Sequence, residues 1–241
     1  MQNTISRGVR AAEEQLRRIE ADPIPKPPKL MQVSSYFNIE LLQAEVVIRV
    51  SNLTKYWDET CILHDVNFTI ASDARILLFG PNGVGKTTLL KMLMGIEMPE
   101  RGEIHIVDSA RIGYLPQDPQ MDLDKTVLES YRYGQVGYEV EFVGRLIGYG
   151  LFSLEDMQKR VGQLSIGQQR KLEIARLMAE GPNVLLLDEP TNYISLDVLE
   201  AFEAAIVTFP GPVIAVSHDR WFIQRFGGKM WELIVGKIIS K

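Results

Sequence analysis

The run Gly80-Pro81-Asn82-Gly83-Val84-Gly85-Lys86-Thr87-Thr88 constrains this chain more than any other stretch. The apolar run Arg75–Phe79 precedes it and reads as a strand. Lys86–Met94 follows and reads as a helix with a stop at Gly95. Glycines in such a turn let successive backbone amides converge on one anion with no Cβ in the way. The helix N-terminus adds unpaired N–H groups and a favourable dipole. Gly80 to Thr87 satisfies G-x-x-x-x-G-K-[ST] in the strand-to-helix context that the pattern requires. Lys86 is then expected at the β- and γ-phosphates of a nucleotide, and Thr87 is expected to offer its hydroxyl to Mg²⁺.

A second feature supports the first. Val184-Leu185-Leu186-Leu187 is a continuous apolar strand that ends in Asp188-Glu189. Ionised groups are costly near a core, so a buried strand ending in two carboxylates calls for a reason. Asp188 is expected to face Mg²⁺, directly or through water. The chain turns at the strand end, so Glu189 is free for a different role, which is to accept a proton from the attacking water or to orient it. Taken alone, the pair would read as solvated loop acids before Pro190.

Strands and helices alternate along the rest. Val46–Val50, Asn67–Ile70, Glu103–Val107, Arg111–Leu115 and Val213–Val216 read as strands, and Lys229–Ile239 as a hairpin around Gly236. Ile166–Ala179 and Leu196–Val207 read as helices. Asp118–Gly162 is mostly helical, with breaks expected at Gly134, Gly137, Gly144, Gly148 and Gly150. This alternation predicts an α/β domain with a mainly parallel core. Ser6–Ala21 predicts a helix, and Asp22–Lys29, reading D-P-I-P-K-P-P-K, predicts a stiff extended stretch that composition alone reads equally as a linker or as a solvated tail. The expected division is therefore 1–30 as linker and 31–241 as the globular domain, with a helical part at about 118–165. The chain has 241 residues, a formal net charge of −5 and one cysteine. No intrachain disulfide is possible, no apolar run is long enough to span a bilayer, and a cytoplasmic protein is the simplest expectation.

Further segments carry a family resemblance. Leu164-Ser165-Ile166-Gly167-Gln168-Gln169-Arg170-Lys171 resembles the signature motif of ATP-binding cassette (ABC) ATPases. Tyr114-Leu115-Pro116-Gln117 resembles their Q-loop, and Val216-Ser217-His218-Asp219-Arg220 their switch-histidine segment. The resemblance covers Ala44 to about Gly236. It implies a phosphate-loop, RecA-like core with a parallel sheet, an antiparallel β-subdomain and a helical subdomain. It also implies head-to-tail pairing of two ABC domains with ATP between them. Ser165, Gly167 and Gln168 would then meet the ATP held by the partner domain. Gln117 would sense Mg²⁺ and the attacking water, and His218 would contact the γ-phosphate and support Glu189. An aromatic residue would stack on adenine. Trp57 aligns best by its spacing from Leu53, with Tyr56 as runner-up, while either could be an aromatic on a sheet surface. His64 and His105 read as ordinary sheet or surface residues.

Asp188-Glu189-Pro190-Thr191-Asn192 and Ser217-His218-Asp219-Arg220-Trp221-Phe222 are similar to the ABC-F group. Those are soluble twin-ABC proteins, many of which act on ribosomes as translation or antibiotic-resistance factors. The opening segment, with Arg7, Arg10, Arg17 and Arg18, resembles the end of their interdomain linker. The short Asp118–Gly162 stretch leaves no room for the extra arm of many first domains. Both features imply the second half of a longer protein. Two residues depart from the pattern: Ile166 replaces the first signature glycine, and Ser195 stands where an aspartate is usual. Two rivals remain. One is the ATPase subunit of a membrane transporter, docking a membrane protein near Tyr131–Gly150. The other is a module in which ATP only clamps a dimer, against which Glu189 and His218 argue.

Overall fold

In a computed structural model, residues 41–240 are described. The helix expected over Ser6–Ala21, the proline-rich linker and the boundary at residue 30 lie outside the described residues. The expected strand-like character between Leu30 and residue 40 lies there too.

Two sheets form the frame. The first is antiparallel, with β1 (Val46–Trp57) between β2 (Thr60–Ala71) and β4 (Arg101–Ile106). The second has the order β5-β6-β7-β3-β8-β9, built from β3 (Arg75–Phe79), β5 (Ile112–Leu115), β6 (Val184–Asp188), β7 (Val213–Val216), β8 (Lys229–Ile234) and β9 (Lys237–Ser240). Every neighbouring pair in it is parallel except β8 with β9. The helices are α1 (Lys86–Leu93), α2 (Val127–Arg132), α3 (Glu139–Tyr149), α4 (Leu154–Met157), α5 (Ile166–Ala179), α6 (Leu196–Val207) and α7 (Arg220–Phe226).

The parallel sheet is apolar on both faces because it is covered on both. Leu185 and Leu187 of β6 pack with Leu77, Val213 and Ala215 against a helical layer that includes Leu172, Phe202 and Phe222. Their strand neighbours Val184 and Leu186 point the other way, with Ile76, Leu78, Ile214 and Val216. There they meet Leu89 and Leu90 of α1 and Ile48, Leu53 and Leu63 of the antiparallel sheet. The period-2 alternation of a strand thus divides one continuous apolar run between two cores.

Several elements differ from the sequence expectations, for identifiable reasons. β1 and β2 run well beyond Val46–Val50 and Asn67–Ile70. β1 is hydrogen-bonded on both sides, and register shifts near Leu53 and Lys55 keep it paired to the hairpin turn after Trp57. Gly134, Gly137 and Gly150 do have positive φ and break the chain. Gly144 and Gly148 do not: both lie inside α3. An internal helical glycine costs about 1 kcal/mol. The buried stripe Phe142, Leu146 and Tyr149 at i, i+4 and i+7 outweighs it. The sequence pattern does not predict α7. Asp219 caps it, its Oδ1 accepting from Trp221 N–H at 2.8 Å and Phe222 N–H at 3.3 Å.

Leu186 is fully buried between the two layers, whereas Leu196 at the start of α6 is exposed. Leu186→Ala is expected to lower unfolding free energy by about 2–5 kcal/mol, and Leu196→Ala to change it by less than about 0.5 kcal/mol. Urea titration followed by circular dichroism measures both.

Candidate nucleotide site

The topology brings the expected site residues to one edge. In parallel strands all carboxyl ends point the same way. The turn after β3 leads into the phosphate loop, β5 leads to Gln117, β6 ends at Asp188, and β7 leads through Ser217 to His218. Open parallel sheets characteristically bind ligands in this position. A cleft of about 540 Å³ opens there, lined by Trp57, Ile62, Asn82, Gly83, Gly85, Lys86, Thr87, Thr88, Gln117, Asp188, Glu189, Asn192, Val216 and His218.

The phosphate loop needs glycine at two places for reasons of space. A Cβ on Gly80 would stand 2.4 Å from Leu233 O of β8, and one on Gly85 would stand 2.3 Å from Ile62 Cγ2 of β2. Both residues also have positive φ, 147° and 109°. Gly83 has open space around it and needs only its left-handed φ of 76°. Pro81 and Val84 complete the turn, with Val84 N–H donating to Pro81 O. Lys86 is largely buried, and its Nζ donates to Gly80 O at 2.9 Å and Pro81 O at 3.0 Å. Burial pulls its pKa down from the usual lysine value against the opposing pull of Glu189 and Asp188.

Thr87 and Asp188 join across the sheet. Thr87 Oγ1 donates to Asp188 Oδ2 at 2.7 Å, and Asp188 is only 1% exposed. Burial raises the Asp188 carboxyl above the ordinary aspartate value, with the Thr87 hydrogen bond acting in the opposite sense. A buried carboxylate beside a hydroxyl is a set of hard oxygen donors, the chemistry that Mg²⁺ selects. Among the described residues no cluster of three or more His, Cys, Asp or Glu could enclose a metal.

Glu189 points elsewhere, as the chain turn allows. It takes a left-handed φ of 48°, and its N–H still donates to Val216 O at 2.9 Å. A non-glycine residue in that region is strained, and strain of this kind gathers at functional sites. Its Oε2 accepts from His218 N–H at 3.3 Å, and His218 Nε2 lies 3.6 Å from Oε1. Burial raises the Glu189 carboxyl, with the hydrogen bond from His218 N–H opposing.

Of the two aromatic candidates, Trp57 lies on the cleft wall. Its Nε1 donates to Thr88 Oγ1 at 3.3 Å, and Lys55 Nζ sits 5.3 Å from the ring centroid. Tyr56 is outside the cleft lining, and its backbone N–H is held by Glu100 Oε2 at 2.9 Å. Ser165, Gly167 and Gln168 are also outside that lining. Ser165 caps α5: its Oγ accepts from Gln168 N–H, and Gln168 Oε1 accepts from Ser165 N–H at 3.0 Å. This reciprocal capping box makes the signature segment the exposed N-terminus of a 14-residue helix. His64 and His105 are exposed on β2 and β4, as expected.

Sequence reasoning passes over Arg170 and Glu173. Arg170 is fully buried and reaches Pro116 O, Glu189 O and Glu173. The signal is their i, i+3 spacing in a helix otherwise expected to bury apolar residues.

A glycine-lined turn at a helix N-terminus, with a buried acid at the end of a strand one removed from it, defines an ATP-binding domain of the phosphate-loop class. The fold is that of known cassettes. A dimeric bacterial ABC transporter cassette superposes with a TM-score of 0.70 at 24% identity, covering 80% of this chain and 97% of that one. A dimeric ATP-binding cassette bound to ADP and Pi gives 0.69 at 23% identity, with the same coverage. The family model described as ABC transporter matches residues 63–192, and the chain belongs to that family. It is an ABC ATPase domain. The resemblance to the ABC-F group is borne out by its relatives. The "Energy-dependent translational throttle protein EttA" of Haemophilus influenzae is 41% identical over 188 residues, 74% of this chain and 33% of that protein. The "ABC transporter F family member 2" of Arabidopsis thaliana is 33% identical over 234 residues, 95% of this chain and 34% of that protein. The chain thus spans about a third of the length of these curated relatives.

The raised Asp188 carboxyl carries a stability consequence. It binds its proton more tightly in the folded protein than in the unfolded chain. Above the raised pKa its ionised form therefore costs stability, and the cost is relieved as pH falls towards the unfolded value. Asp188→Asn, which keeps an oxygen for Thr87, is expected to raise the Tm of the nucleotide-free protein at pH 7 while abolishing stabilisation by Mg·ATP. Differential scanning calorimetry with and without Mg·ATP checks both halves.

Proposed function

We propose that this chain is the second ABC domain of a soluble, cytoplasmic ABC-F protein that binds Mg·ATP, hydrolyses it, and acts on the ribosome. The observation that carries the ATPase reading is one cleft holding four groups: the Gly80–Thr88 turn, the Thr87–Asp188 hydrogen bond, Gln117, and Glu189 beside His218. The ribosomal reading rests on similarity to proteins named translational throttles and F-family members. No helix among the described residues is long and apolar enough to cross a membrane.

Each residue has a role in this reading. The backbone N–H groups of the Gly80–Thr88 turn, of which Pro81 has none, cradle the phosphates, with Pro81, Asn82, Gly83, Val84 and Gly85 shaping the turn. Lys86 exchanges its two loop carbonyls for β- and γ-phosphate oxygens. Thr87, Asp188 and Gln117 would hold Mg²⁺, which would supply charge neutralisation at the phosphates. Trp57 stacks on the adenine. Glu189 takes a proton from water as the water oxygen bonds to the γ-phosphorus; the bond to the β–γ bridging oxygen breaks and ADP leaves. His218 keeps Glu189 oriented and touches the γ-phosphate. Ser165, Gly167 and Gln168 meet the nucleotide of a partner domain, either the other ABC domain of the full-length protein or a second copy of this chain. Their exposed helix N-terminus, outside this chain's own cleft, supports that assignment.

Glu189→Gln is expected to lower kcat by about 10²–10⁴-fold with ATP still bound. Unchanged turnover would refute the base. The raised carboxyl of the nucleotide-free protein places the acid limb of the kcat/KM profile above the ordinary glutamate value of 4.5. Trp57→Ala is expected to weaken ATP binding by about 1–3 kcal/mol, and Tyr56→Ala to leave it within twofold, both measured by calorimetric titration. Co-sedimentation of the full-length protein with ribosomes tests the ribosomal reading. Recovery with a membrane protein instead would favour the subunit of an ABC transporter.

A further inference from the structure

Arg170 is 0% exposed, and none of the roles assigned around the cleft uses it. Its Nη1 donates to Pro116 O and to Glu173 Oε2, the latter at 3.0 Å, and its Nη2 donates to Glu189 O at 3.2 Å. Glu173, one turn further along α5, accepts from Gln120 N–H at 3.1 Å. The segment carrying Gln117 is therefore gripped on both sides by one helix, through Pro116 before it and Gln120 after it. The same guanidinium grips the backbone of Glu189. Replacing a buried ion pair with apolar side chains of similar volume is often neutral or stabilising. Here Arg170 Nε also lacks a hydrogen-bond partner, a further cost of burial. Stability alone is thus a poor explanation for an arginine in this position.

The helix supplies the direction of the effect. Arg170 lies five residues after the Ser165 cap, about 7.5 Å along the helix axis. We propose that Arg170 is a positioning residue. It ties the helix that presents Ser165 and Gly167 to the Glu189 backbone and to the Gln117 segment. Engagement of a partner's nucleotide at the start of α5 then sets this chain's own water-activating carboxylate. The proposal rests on the head-to-tail pairing of the proposed function. Arginine is required because three acceptors in different directions need the planar fork; a lysine ammonium carries the charge but cannot span them.

The test compares wild type, Arg170→Lys and Glu173→Gln in steady-state ATP turnover, with ATP-driven dimerisation followed by gel filtration in a Glu189→Gln background. Arg170→Lys is expected to lower kcat tenfold or more, with KM for ATP within twofold and the dimer retained. Glu173→Gln keeps an acceptor for Gln120 N–H, and its kcat is expected to fall between those two at the same KM. A fall of less than threefold in Arg170→Lys overturns the proposal. So does a fall accompanied by loss of ATP affinity or of the dimer, which would mark a purely structural role. Wild-type turnover per molecule separates this from the parent reading. If turnover of this chain does not rise with protein concentration, pairing between two copies of it fails and the proposal with it; if it rises and Arg170→Lys matches it, only the positioning role fails.

Discussion

The turn between β3 and α1 lies against two neighbours so closely that neither Gly80 nor Gly85 has room for a Cβ, with Leu233 O and Ile62 Cγ2 in the way. This close approach sets the site. It presses the antiparallel sheet and the far side of the parallel sheet onto the same turn. It aims the first amides of α1 into the cleft. It also brings Thr87 to the end of β6, where the 2.7 Å hydrogen bond to Asp188 joins chain segments 101 residues apart. A side chain at either glycine would displace the loop from β2 or β8, and with it the distance between hydroxyl and carboxylate on which a metal site depends.

The cleft gathers charge that a core would otherwise exclude. Asp188 and Glu189 are both raised by burial, and Lys86 is lowered by it. Each strains against its surroundings in the sense that phosphate and a divalent cation would relieve. The two acids are adjacent but separated in what they do. Asp188 is fixed by Thr87, whereas Glu189 turns through a left-handed backbone to His218. Strain and desolvation at one strand end are costs to the isolated fold, and they are confined to the edge where all the parallel strands finish.

Signature helix α5 has a double character. Its first turn is an exposed capping box, while its second turn buries the ion pair of Arg170 and Glu173. One rigid element therefore has an outward face suited to an anion and an inward face fastened to the loops around this chain's own cleft. Ile166, in place of the usual first glycine, is exposed on the outward turn. Ser195, where an aspartate is usual, sits at the N-cap of α6 without a side-chain capping bond.

Much of the site was legible because it consists of short contiguous motifs. The glycine spacing, the apolar run ending in Asp188-Glu189 and the Ser165-to-Lys171 segment each report local backbone requirements, and local requirements are written in neighbouring residues. The helix of 166–179 and the strand of 213–216 could be placed to the residue for the same reason. Other features were decided by tertiary structure. Which aromatic lines the cleft depends on the register of the β1–β2 hairpin, a pairing between segments that no single window contains. The continuity of α3 through Gly144 and Gly148 depends on what Phe142, Leu146 and Tyr149 pack against. The convergence of Pro116, Arg170 and Glu189 depends on the strand order that sets β5 beside β6 beneath α5. Sequence determined which side chains are available for such chemistry, because phosphate and metal binding demand particular side chains at fixed spacing. Only the packed fold decided which of them meet, because long-range contacts follow from how buried surfaces fit together.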